Sequence, residues 1–466
     1  MYKRIASSKL NEWFHSKRRK PLLIRGARQV GKTTLVRQYA ADHGLELIEI
    51  NLERFPNLIC VFKHMTVEPV LSEIYALNRK ARKDPSQSLV FIDEIQAIPE
   101  AIQWLRYAFE DRPDIAIVGA GSLLEFALKD ATVSMPVGRV EFLWLYPMNF
   151  REYLIASKNE FLEQLLQNTN LENIELFPQS SHLELNRLMR DYCMVGGMPE
   201  VVGAFLDSGP QGAINAQVAL ITSYLDDLSK YTKKHPLTRL QRIFRSIPGI
   251  IGNRVKYVSL SREEQSREIK DVIELLTIAG ITIPIFHSDA SGIPLAATEN
   301  QNSFKLLFLD IGLAFSVLGL DWVNTQRLTD EKFVNEGQIA EQFAGQELMV
   351  SENSQNKVHL NFWKRDKAQS EAEVDYVIEV GNKIFPIEVK AGPSGSMRSL
   401  HQFMLKNREL NNVALRLHES KPTITKVSHA VLNSDGQAVP IEYRLLSLPL
   451  YMTSEARRIL MEIVNP

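Results

Sequence analysis

A glycine-rich turn lies between a short apolar strand and a helix near the start of this sequence. Residues 26–33 read Gly-Ala-Arg-Gln-Val-Gly-Lys-Thr, and they lie between the apolar run Pro21–Arg25 and a helical pattern from Lys32 to Ala41. The glycines let backbone N–H groups converge on one point, and the helix N-terminus adds the positive end of its dipole. The spacing G-x-x-x-x-G-K-[ST] in this context therefore predicts a phosphate-binding loop.

The residues of this loop have distinct expected parts in nucleotide binding. Lys32 is expected to reach the β- and γ-phosphates, and the Thr33 hydroxyl is expected to bind Mg²⁺. The sequence therefore predicts ATP and Mg²⁺ as ligands. The expected nucleotide-binding residues are Gly26, Ala27, Arg28, Gln29, Val30, Gly31, Lys32, Thr33 and Thr34.

An acidic pair follows a second apolar run. Leu89–Ile92 leads directly into Asp93 and Glu94, so a buried strand would deliver both carboxylates at its C-terminal end. Asp93 is suited to hold Mg²⁺, and Glu94 is suited to orient and deprotonate a water molecule. The alternative is that the pair caps the helix that follows. Because the phosphate-binding loop lies upstream, the sequence favours the catalytic interpretation.

Two further positions have two interpretations each. Ser122 follows an apolar strand and is suited either to sense the γ-phosphate or to cap the segment Leu123–Leu128. Arg139 is suited to stabilise transition-state charge in its own or a neighbouring subunit. A surface ion pair is the alternative for Arg139.

The pattern along the chain changes twice. The 466 residues predict about two to four domains. Residues 1–148 alternate apolar strands with helices, which predicts an α/β domain with a parallel sheet. Residues 149–300 are mainly helical and end in a winged-helix-like hairpin; the alternative is a helical connector with one hairpin. Residues 301–450 predict a second α/β domain, and 451–466 a C-terminal tail.

A second group of charged residues lies near the C-terminus. Asp375 opens one apolar strand and Glu388 closes the next, with Gly381-Asn382 between the strands as a hairpin signal. Glu388 and Lys390 are two residues apart and share one face of their strand. Two carboxylates and an ammonium, with Glu341 as a further carboxylate, are suited to bind Mg²⁺ and cleave a phosphodiester. The alternative is simple salt bridging across the hairpin.

Several motifs together resemble one family, the prokaryotic AAA+ ATPases with an uncharacterised C-terminal domain related to the PD-(D/E)XK nuclease fold. The resemblance covers nearly the whole chain and implies a nuclease-type cluster of Glu341, Asp375, Glu388 and Lys390. It also implies a role for Arg139 beyond a surface charge, and subunits that share a nucleotide site. The motifs that carry it are residues 26–35, 91–96, 138–142, 145–147, 196–200, 310–313, 375 and 388–390.

Composition restricts the partners and the compartment. The formal net charge is -1, so DNA contact requires local basic surface, for which Lys17–Lys20 and a group around Lys230 to Arg245 are candidates. The two cysteines, Cys60 and Cys193, show no metal-ligand spacing and fit a reducing cytoplasm. No run approaches the roughly 20 apolar residues of a membrane span. ATP, DNA and a second copy of the chain are the expected partners.

These features predict a cytoplasmic, Mg²⁺-dependent ATPase coupled to a nuclease-like, DNA-associated C-terminal domain. The alternative is a nucleotide-switched regulator that binds DNA or protein without nuclease activity. A third hypothesis is a chaperone-like or signalling ATPase that acts on protein. The residues expected to be catalytic are Lys32, Glu94, Arg139, Asp375, Glu388 and Lys390, and those expected to hold metal are Thr33, Asp93, Glu341, Asp375 and Glu388.

Overall fold

A computed structural model of the chain separates into two compact units. The first unit runs to Pro147 and includes Ile278–Ile281; the second comprises the described residues from Met148 to Thr277 and from Thr282 onward. The residues that the structure describes are 2–80, 84–122, 124, 138–231, 235–320, 337–350, 358–365, 372–390, 397–408, 411–432 and 436–465.

The first unit is built on a parallel sheet. Its strand order is β2-β3-β4-β1-β5, and every described pair in it is parallel. All six residues of the middle strand β3 are buried, as expected when helices cover both faces of a parallel sheet. The parallel sheet predicted for this region is thus confirmed. The strands are β1 (Leu22–Arg25), β2 (Glu46–Asn51), β3 (Ser88–Asp93), β4 (Ile117–Ala120) and β5 (Glu141–Trp144).

The helices of the first unit bury one apolar face each. Their bounds are α1 (Ala6–Phe14), α2 (Lys32–Asp42), α3 (Ile59–Phe62), α4 (Val67–Leu77) and α5 (Pro99–Asp111). In α5, Ala101, Trp104 and Leu105 are fully buried, at the three- and four-residue spacing of one helical face. Trp104 meets Phe62 edge to face at 5.5 Å between ring centroids, and this core supports the sheet below the loop.

The second unit contains a mixed eight-stranded sheet of order β12-β13-β11-β10-β9-β8-β6-β7. β6/β8, β10/β11 and β11/β13 pair in parallel, and the other neighbours are antiparallel. The strands are β6 (Thr282–Ser288), β7 (Glu299–Phe308), β8 (Asn361–Arg365), β9 (Ala372–Val380), β10 (Lys383–Val389), β11 (Val413–His418), β12 (Thr423–Leu432) and β13 (Ala438–Pro449).

Helices make up most of the second unit before β6 and flank its sheet afterwards. Their bounds are α6 (Phe150–Ala156), α7 (Glu160–Asn168), α8 (Gln179–Val195), α9 (Pro199–Asp227), α10 (Leu237–Ser246), α11 (Tyr257–Leu260), α12 (Ser266–Ile278), α13 (Ile311–Val317), α14 (Gly337–Val350), α15 (Arg398–Lys406) and α16 (Ala456–Val464). Within the described ranges, no helix is both long and apolar enough to cross a membrane.

The hairpin expected as part of a winged helix belongs to this sheet. β6 and β7 pair antiparallel, and β6 also pairs in parallel with β8 at Phe286↔Asn361. The expected boundary at residue 300 therefore falls within β7 (Glu299–Phe308). The difference arises because a local pattern shows the hairpin but not the distant strand that extends it.

Two glycine motifs of the second unit meet at a buried carboxylate. A Cβ atom on Gly196 would lie 2.0 Å from Asp310 Oδ1, so no larger residue fits there. Gly197 N donates to Asp310 Oδ2 at 2.6 Å, and Leu313 N donates to Oδ1 at 3.0 Å. Burial raises the pKa of Asp310 to about 6 although these N–H groups favour its charged form. This contact fixes the turn between α8 and α9 against the start of α13.

Candidate functional site

The loop that follows β1 takes a conformation that few side chains permit. Gly26 has φ 143° and Gly31 has φ 94°, both in the region that favours glycine. A Cβ atom on Gly26 would lie 2.1 Å from Leu145 O, so the backbone passes here without room for a side chain. Gly31 caps α2, and no side chain caps this helix end. The loop therefore leaves backbone N–H groups at the helix N-terminus for an anion.

Lys32 is a buried lysine whose neighbours are carbonyl groups. Its side chain is 8% exposed, and Nζ donates to Gly26 O at 3.0 Å and to Ala27 O at 2.7 Å. Burial lowers the pKa of Lys32 to about 8, although Glu94 and Asp93 act in the opposite direction. No carboxylate in the part of the chain that the structure describes lies within ion-pair distance of it. An incoming phosphate would supply the missing negative charge.

The two halves of the predicted nucleotide site meet at a single hydrogen bond. Thr33 Oγ1 donates to Asp93 Oδ2 at 3.1 Å, although the two residues lie on α2 and β3. Burial raises the pKa of Asp93, because loss of water disfavours the charged form of a carboxylate. A hydroxyl and a carboxylate are hard oxygen donors of the kind that Mg²⁺ prefers. The residues present therefore fit this metal.

Glu94 is held in an unusual backbone conformation beside this pair. Its φ is 48°, in the left-handed region that a non-glycine residue rarely takes. Gln96 Nε2 donates to Glu94 Oε2 at 2.5 Å, and Ser122 Oγ lies 3.5 Å from the same atom. The side chain makes no cap hydrogen bond to the short helix that follows, which weighs against the capping alternative. The segment that Ser122 would cap lies mostly outside the described residues.

Arg139 lies on an exposed part of the first unit. Its Nε donates to Glu110 Oε1 at 3.0 Å, and Arg106 shares that oxygen at 3.2 Å. Hydrogen bonds from Arg139 and then Arg106 lower the pKa of Glu110. This is the surface ion pair foreseen as the alternative, and the transition-state role stays a prediction.

Arg4 supports the loop and was missed by the sequence analysis. It is 6% exposed; its Nη1 donates to Val30 O at 2.8 Å and its Nη2 to Tyr146 O at 2.6 Å. One guanidinium thus joins the loop to the segment after β5. A basic residue near the start of the chain offers no local signal for such a contact.

The second unit brings the predicted C-terminal residues together. β9 and β10 form the expected hairpin, with Tyr376 opposite Ile387. Val389 N donates to Asp375 Oδ2 at 2.8 Å, and Lys390 Nζ lies 2.6 Å from Glu388 Oε1. Glu388 is buried, and burial raises its pKa to about 7. The carboxylates of Asp375 and Glu388 are therefore neighbours, and an ammonium already faces Glu388.

A buried lysine of β7, not identified from the sequence, completes this cluster. Lys305 Nζ lies 2.6 Å from Glu373 Oε1, 3.2 Å from Glu341 Oε2 and 3.9 Å from Asp375 Oδ1. Burial, and then the charge of Asp375, raises the pKa of Glu341 to about 8. We call Glu341, Glu373, Asp375, Glu388, Lys305 and Lys390 the carboxylate cluster.

A metal ion does not fit this cluster as it stands. Three of its four carboxylates face Lys305, and the fourth faces Lys390. Within the described ranges, no group of three or more His, Cys, Asp or Glu side chains is placed to hold a metal. Glu388 Oε2 is buried without a hydrogen-bond partner among the residues with known positions, but Mg²⁺ and Ca²⁺ require six or more ligands. In the structure, the carboxylates of Glu341, Asp375 and Glu388 form internal ion pairs, and their role as metal ligands stays a prediction.

The basic segments suggested for DNA contact are partly engaged elsewhere. Arg239 Nη2 lies 2.7 Å from Glu264 and 2.9 Å from Glu268, and Arg242 lies 2.5 Å from Glu263. Lys233 and Lys234 lie outside the described residues. Arg239 is thus largely withdrawn from solvent by its two acidic partners, whereas Arg242 and Arg245 are exposed.

Three family models match different parts of the chain. Residues 18–154 match an AAA domain. Residues 186–324 and 336–444 match two domains of unknown function, DUF8612 and DUF4143. Most of the first unit is therefore similar to AAA domains. The matches to the second unit carry no description of an activity, and they do not show a nuclease-like identity.

One relative comes from Methanocaldococcus jannaschii. The chain is 26% identical over 210 residues to the uncharacterized protein MJ1637, and the match covers 42% of this chain and 41% of that protein. The chain thus spans less than half the length of this relative.

Solved structures resemble the chain only weakly. The Aeropyrum pernix ORC1 protein, solved in complex with DNA, is 12% identical, with 69% of this chain and 92% of that chain covered and a TM-score of 0.26. The Thermotoga maritima RuvB Holliday junction branch migration motor is 18% identical, with 60% and 88% covered and a TM-score of 0.28. TM-scores this low establish neither a shared arrangement of the whole chain nor a shared function.

Proposed function

We propose that this chain, whose residues 18–154 match an AAA domain, binds and hydrolyses ATP in its first unit and thereby controls its second. The observation that carries the proposal is the 3.1 Å contact between Thr33 Oγ1 and Asp93 Oδ2. It brings together two motifs that are 60 residues apart in sequence. A phosphate-binding loop and an acidic strand end in contact are the arrangement that ATP hydrolysis requires.

The loop residues would bind the triphosphate. The backbone N–H groups before and within the first turn of α2 would donate to phosphate oxygens. Lys32 would move its hydrogen bonds from the carbonyl groups of Gly26 and Ala27 to the phosphates. Thr33 and Asp93 would hold Mg²⁺, which when bound supplies a positive charge that neutralises the phosphates.

Glu94 would act as the general base. Its Oε2 already accepts a hydrogen bond from Gln96, which orients the carboxylate and leaves Oε1 to accept the proton of the attacking water. Glu94 directly follows Asp93, the proposed metal ligand, and its backbone is left-handed at this point. The Ser122 hydroxyl would donate to Glu94 Oε2 and so help to orient this carboxylate.

The test is ATP hydrolysis by the full chain with Mg²⁺ and with EDTA. We expect Mg²⁺-dependent turnover, and we expect Glu94→Gln to bind ATP but to hydrolyse it about 10²–10⁴-fold more slowly. Glu73→Gln, on the exposed face of α4, is the matched control and should retain turnover. Normal turnover by Glu94→Gln would refute the assignment of the base.

One candidate function for the second unit is Mg²⁺-dependent cleavage of DNA. The hairpin that brings Asp375 next to Glu388 and Lys390, together with the resemblance to nuclease-fold proteins, supports it. It predicts nicks or cuts with Mg²⁺ or Mn²⁺ that are lost in Asp375→Ala and in Lys390→Ala. An absence of product across both metals and across single- and double-stranded substrates would exclude it.

A second candidate is a nucleotide-switched module that binds DNA or protein without cutting it. The specific observation in its favour is that ammonium groups of the chain already face all four carboxylates of the cluster. It predicts that affinity for DNA or for a protein partner differs between the ATP and ADP states while no cleavage product forms. Equal affinity in both nucleotide states would contradict it. We favour this candidate.

The free thiols of the chain suit a reducing compartment, for which we propose the cytoplasm. Cys60 is exposed and Cys193 is buried, and both are unpaired.

A further inference from the structure

Lys305 is buried in the sheet, so the positive charge of its ammonium must be balanced by neighbouring groups. It lies within β7, opposite Ile285 of β6, and is 2% exposed. A buried ammonium is stable only when anions or hydrogen-bond acceptors replace its water. Lys305 is therefore part of the packed interior of the sheet and not a surface lysine that lies near acidic groups by chance.

The compensation comes from three carboxylates on two elements. Glu373 and Asp375 lie two residues apart on β9 and thus share one face of the strand, and Glu341 reaches the same point from α14. Their nearest oxygens lie 2.6, 3.9 and 3.2 Å from Lys305 Nζ, in that order. Converging carboxylates from separate elements are the donor set that a hard divalent ion uses. In this structure, Lys305 Nζ lies where these carboxylates converge.

The carboxylates are held in place from other sides. Tyr376 Oη donates to Glu341 O at 2.7 Å, which fixes α14 against β9. Gly252 leaves room for the Glu341 carboxyl group, because a Cβ atom at this position would lie 3.2 Å from it. Asp375 Oδ2 already accepts from Val389 N. The ammonium therefore lies in a preformed set of oxygens.

Among the described residues, Lys305 is the one buried cation of the cluster. Lys390, 2.6 Å from Glu388, and Arg254, 3.8 Å from Glu373, are partly exposed. Burial lowers the pKa of Lys305, but Glu341, Asp375 and Glu373 outweigh this effect and raise it overall. The three carboxylates around Nζ thus favour the charged form of the lysine. Lys390 is 28% exposed and pairs with Glu388, so it can leave toward solvent, whereas Lys305 has no such route through its packed surroundings.

We propose that the Lys305 ammonium is the resident cation of the carboxylate cluster, that the natural chain therefore holds no divalent metal there, and that removing this ammonium converts the cluster into a divalent-cation site. The inference deepens the second candidate function of the second unit and does not depend on ATP hydrolysis. It names the chemical reason why a nuclease-like cluster would not cut DNA.

The test uses the nucleotide-free full chain and Mn²⁺ as the probe. Lys305→Met keeps an unbranched side chain that is one atom shorter and removes its charge. We expect its midpoint of thermal unfolding in EDTA to fall below that of the natural chain and to rise again when Mn²⁺ is added. We also expect titration calorimetry to show about one bound Mn²⁺ per Lys305→Met chain, lost when Asp375→Asn is added. Lys426→Met, an exposed lysine paired with Glu442, should show no such response.

Two results would overturn the proposal. The first is Mn²⁺ binding by the natural chain that disappears in Asp375→Asn, because the cluster would then accept a metal beside Lys305. The second is a Lys305→Met chain that takes up no Mn²⁺, whether it is folded or remains unfolded with and without the metal. In either case Mg²⁺-dependent ATP hydrolysis can still be found, so failure here is distinct from failure of the ATPase proposal.

Discussion

Among the described residues, each unit buries one lysine, and the surroundings of these two lysines differ. Lys32 of the first unit is 8% exposed and Lys305 of the second is 2% exposed. The Lys32 ammonium donates to two carbonyl groups and faces no carboxylate at contact distance among the described residues, and burial lowers its pKa to about 8. The Lys305 ammonium faces three carboxylates, which raise its pKa despite burial.

The difference separates a binding group from a structural one. A buried cation without a counter-ion is costly for the free protein, and this cost is recovered when an anionic ligand arrives. A buried cation with three carboxylates is already compensated, and a ligand cation would have to displace it. We therefore expect Lys32 to matter for affinity and Lys305 to matter for stability, and the same substitution at both positions tests this.

The largest effect is expected for Lys32→Met on nucleotide binding. The change removes the only ammonium expected on the phosphates, so ATP affinity should fall by about two orders of magnitude or more. The free energy of unfolding of the nucleotide-free chain should change by no more than about 1 kcal/mol, because only hydrogen bonds to two carbonyl groups are lost. Binding of a fluorescent ATP analogue and chemical denaturation measure the two quantities.

The control for Lys32→Met is Lys9→Met. Lys9 pairs with Glu12 on the surface of α1 at 2.9 Å. Its substitution should leave ATP affinity and the free energy of unfolding unchanged. A Lys32→Met chain that binds ATP normally would remove the basis of the comparison.

Lys305→Met should show the opposite profile. Removing one partner of a buried charge group costs about 3–5 kcal/mol, so the free energy of unfolding in EDTA should fall by that amount. Nucleotide affinity should remain close to that of the natural chain. Lys426→Met should cost less than about 1 kcal/mol, since exposed ion pairs contribute little. A stable Lys305→Met chain in EDTA would show that the ammonium is not needed to balance the cluster.

Asp310 extends the comparison to a buried anion that is stabilised by N–H groups. Asp310→Asn would set an amide NH₂ group against N–H donors such as Gly197 N or Leu313 N, and should cost about 1–3 kcal/mol. The raised pKa of Asp310 adds a pH dependence. The folded chain holds the proton up to about pH 6, whereas the unfolded chain loses it near 3.8.

The stability of the natural chain should therefore contain a component that falls as pH rises from about 4 to 6 and then levels off. Denaturation curves across this range measure it, and the component should be missing in Asp310→Asn. An unchanged slope in the variant would assign the pH dependence to other groups.

The smallest effect is expected for Arg139→Ala. An exposed pair with Glu110 contributes less than about 1 kcal/mol, and hydrolysis should change by no more than a small factor. A loss of about 10³-fold or more in turnover would instead establish the transition-state role that the sequence suggested. Mixing Arg139→Ala with Lys32→Met chains would then show whether the arginine acts in a neighbouring subunit.

The first unit was largely predictable because its signals are local. The loop motif is contiguous from Gly26 to Thr33, and the acidic pair follows an uninterrupted apolar run. In a parallel sheet the strand ends meet at one edge, so the contact between Thr33 and Asp93 followed from two short patterns. The hairpin of β9 and β10 was predictable for the same reason, since Gly381 marks its turn.

The remaining features depend on contacts that are distant in sequence. Lys305 lies 36 residues from Glu341, and its one local signal is a charged residue in the otherwise apolar run from Phe304 to Leu309. The sequence predicted β6 and β7 as a hairpin of a winged helix, whereas they belong to a larger sheet. The strand that extends the hairpin, β8, begins more than 50 residues after β7 in sequence, so no local pattern predicts this pairing. Periodicity identifies such strands but does not identify their neighbours.

The contact of Arg4 has a consequence for how the nucleotide-binding part is isolated. The AAA match begins at residue 18, and a fragment cut there would contain every recognisable motif. It would lack Arg4, whose guanidinium donates hydrogen bonds to Val30 O and Tyr146 O. The phosphate-binding loop would therefore lose a contact that lies outside its own motif. We therefore expect such a fragment to bind ATP more weakly than the full chain, although it contains the whole phosphate-binding motif.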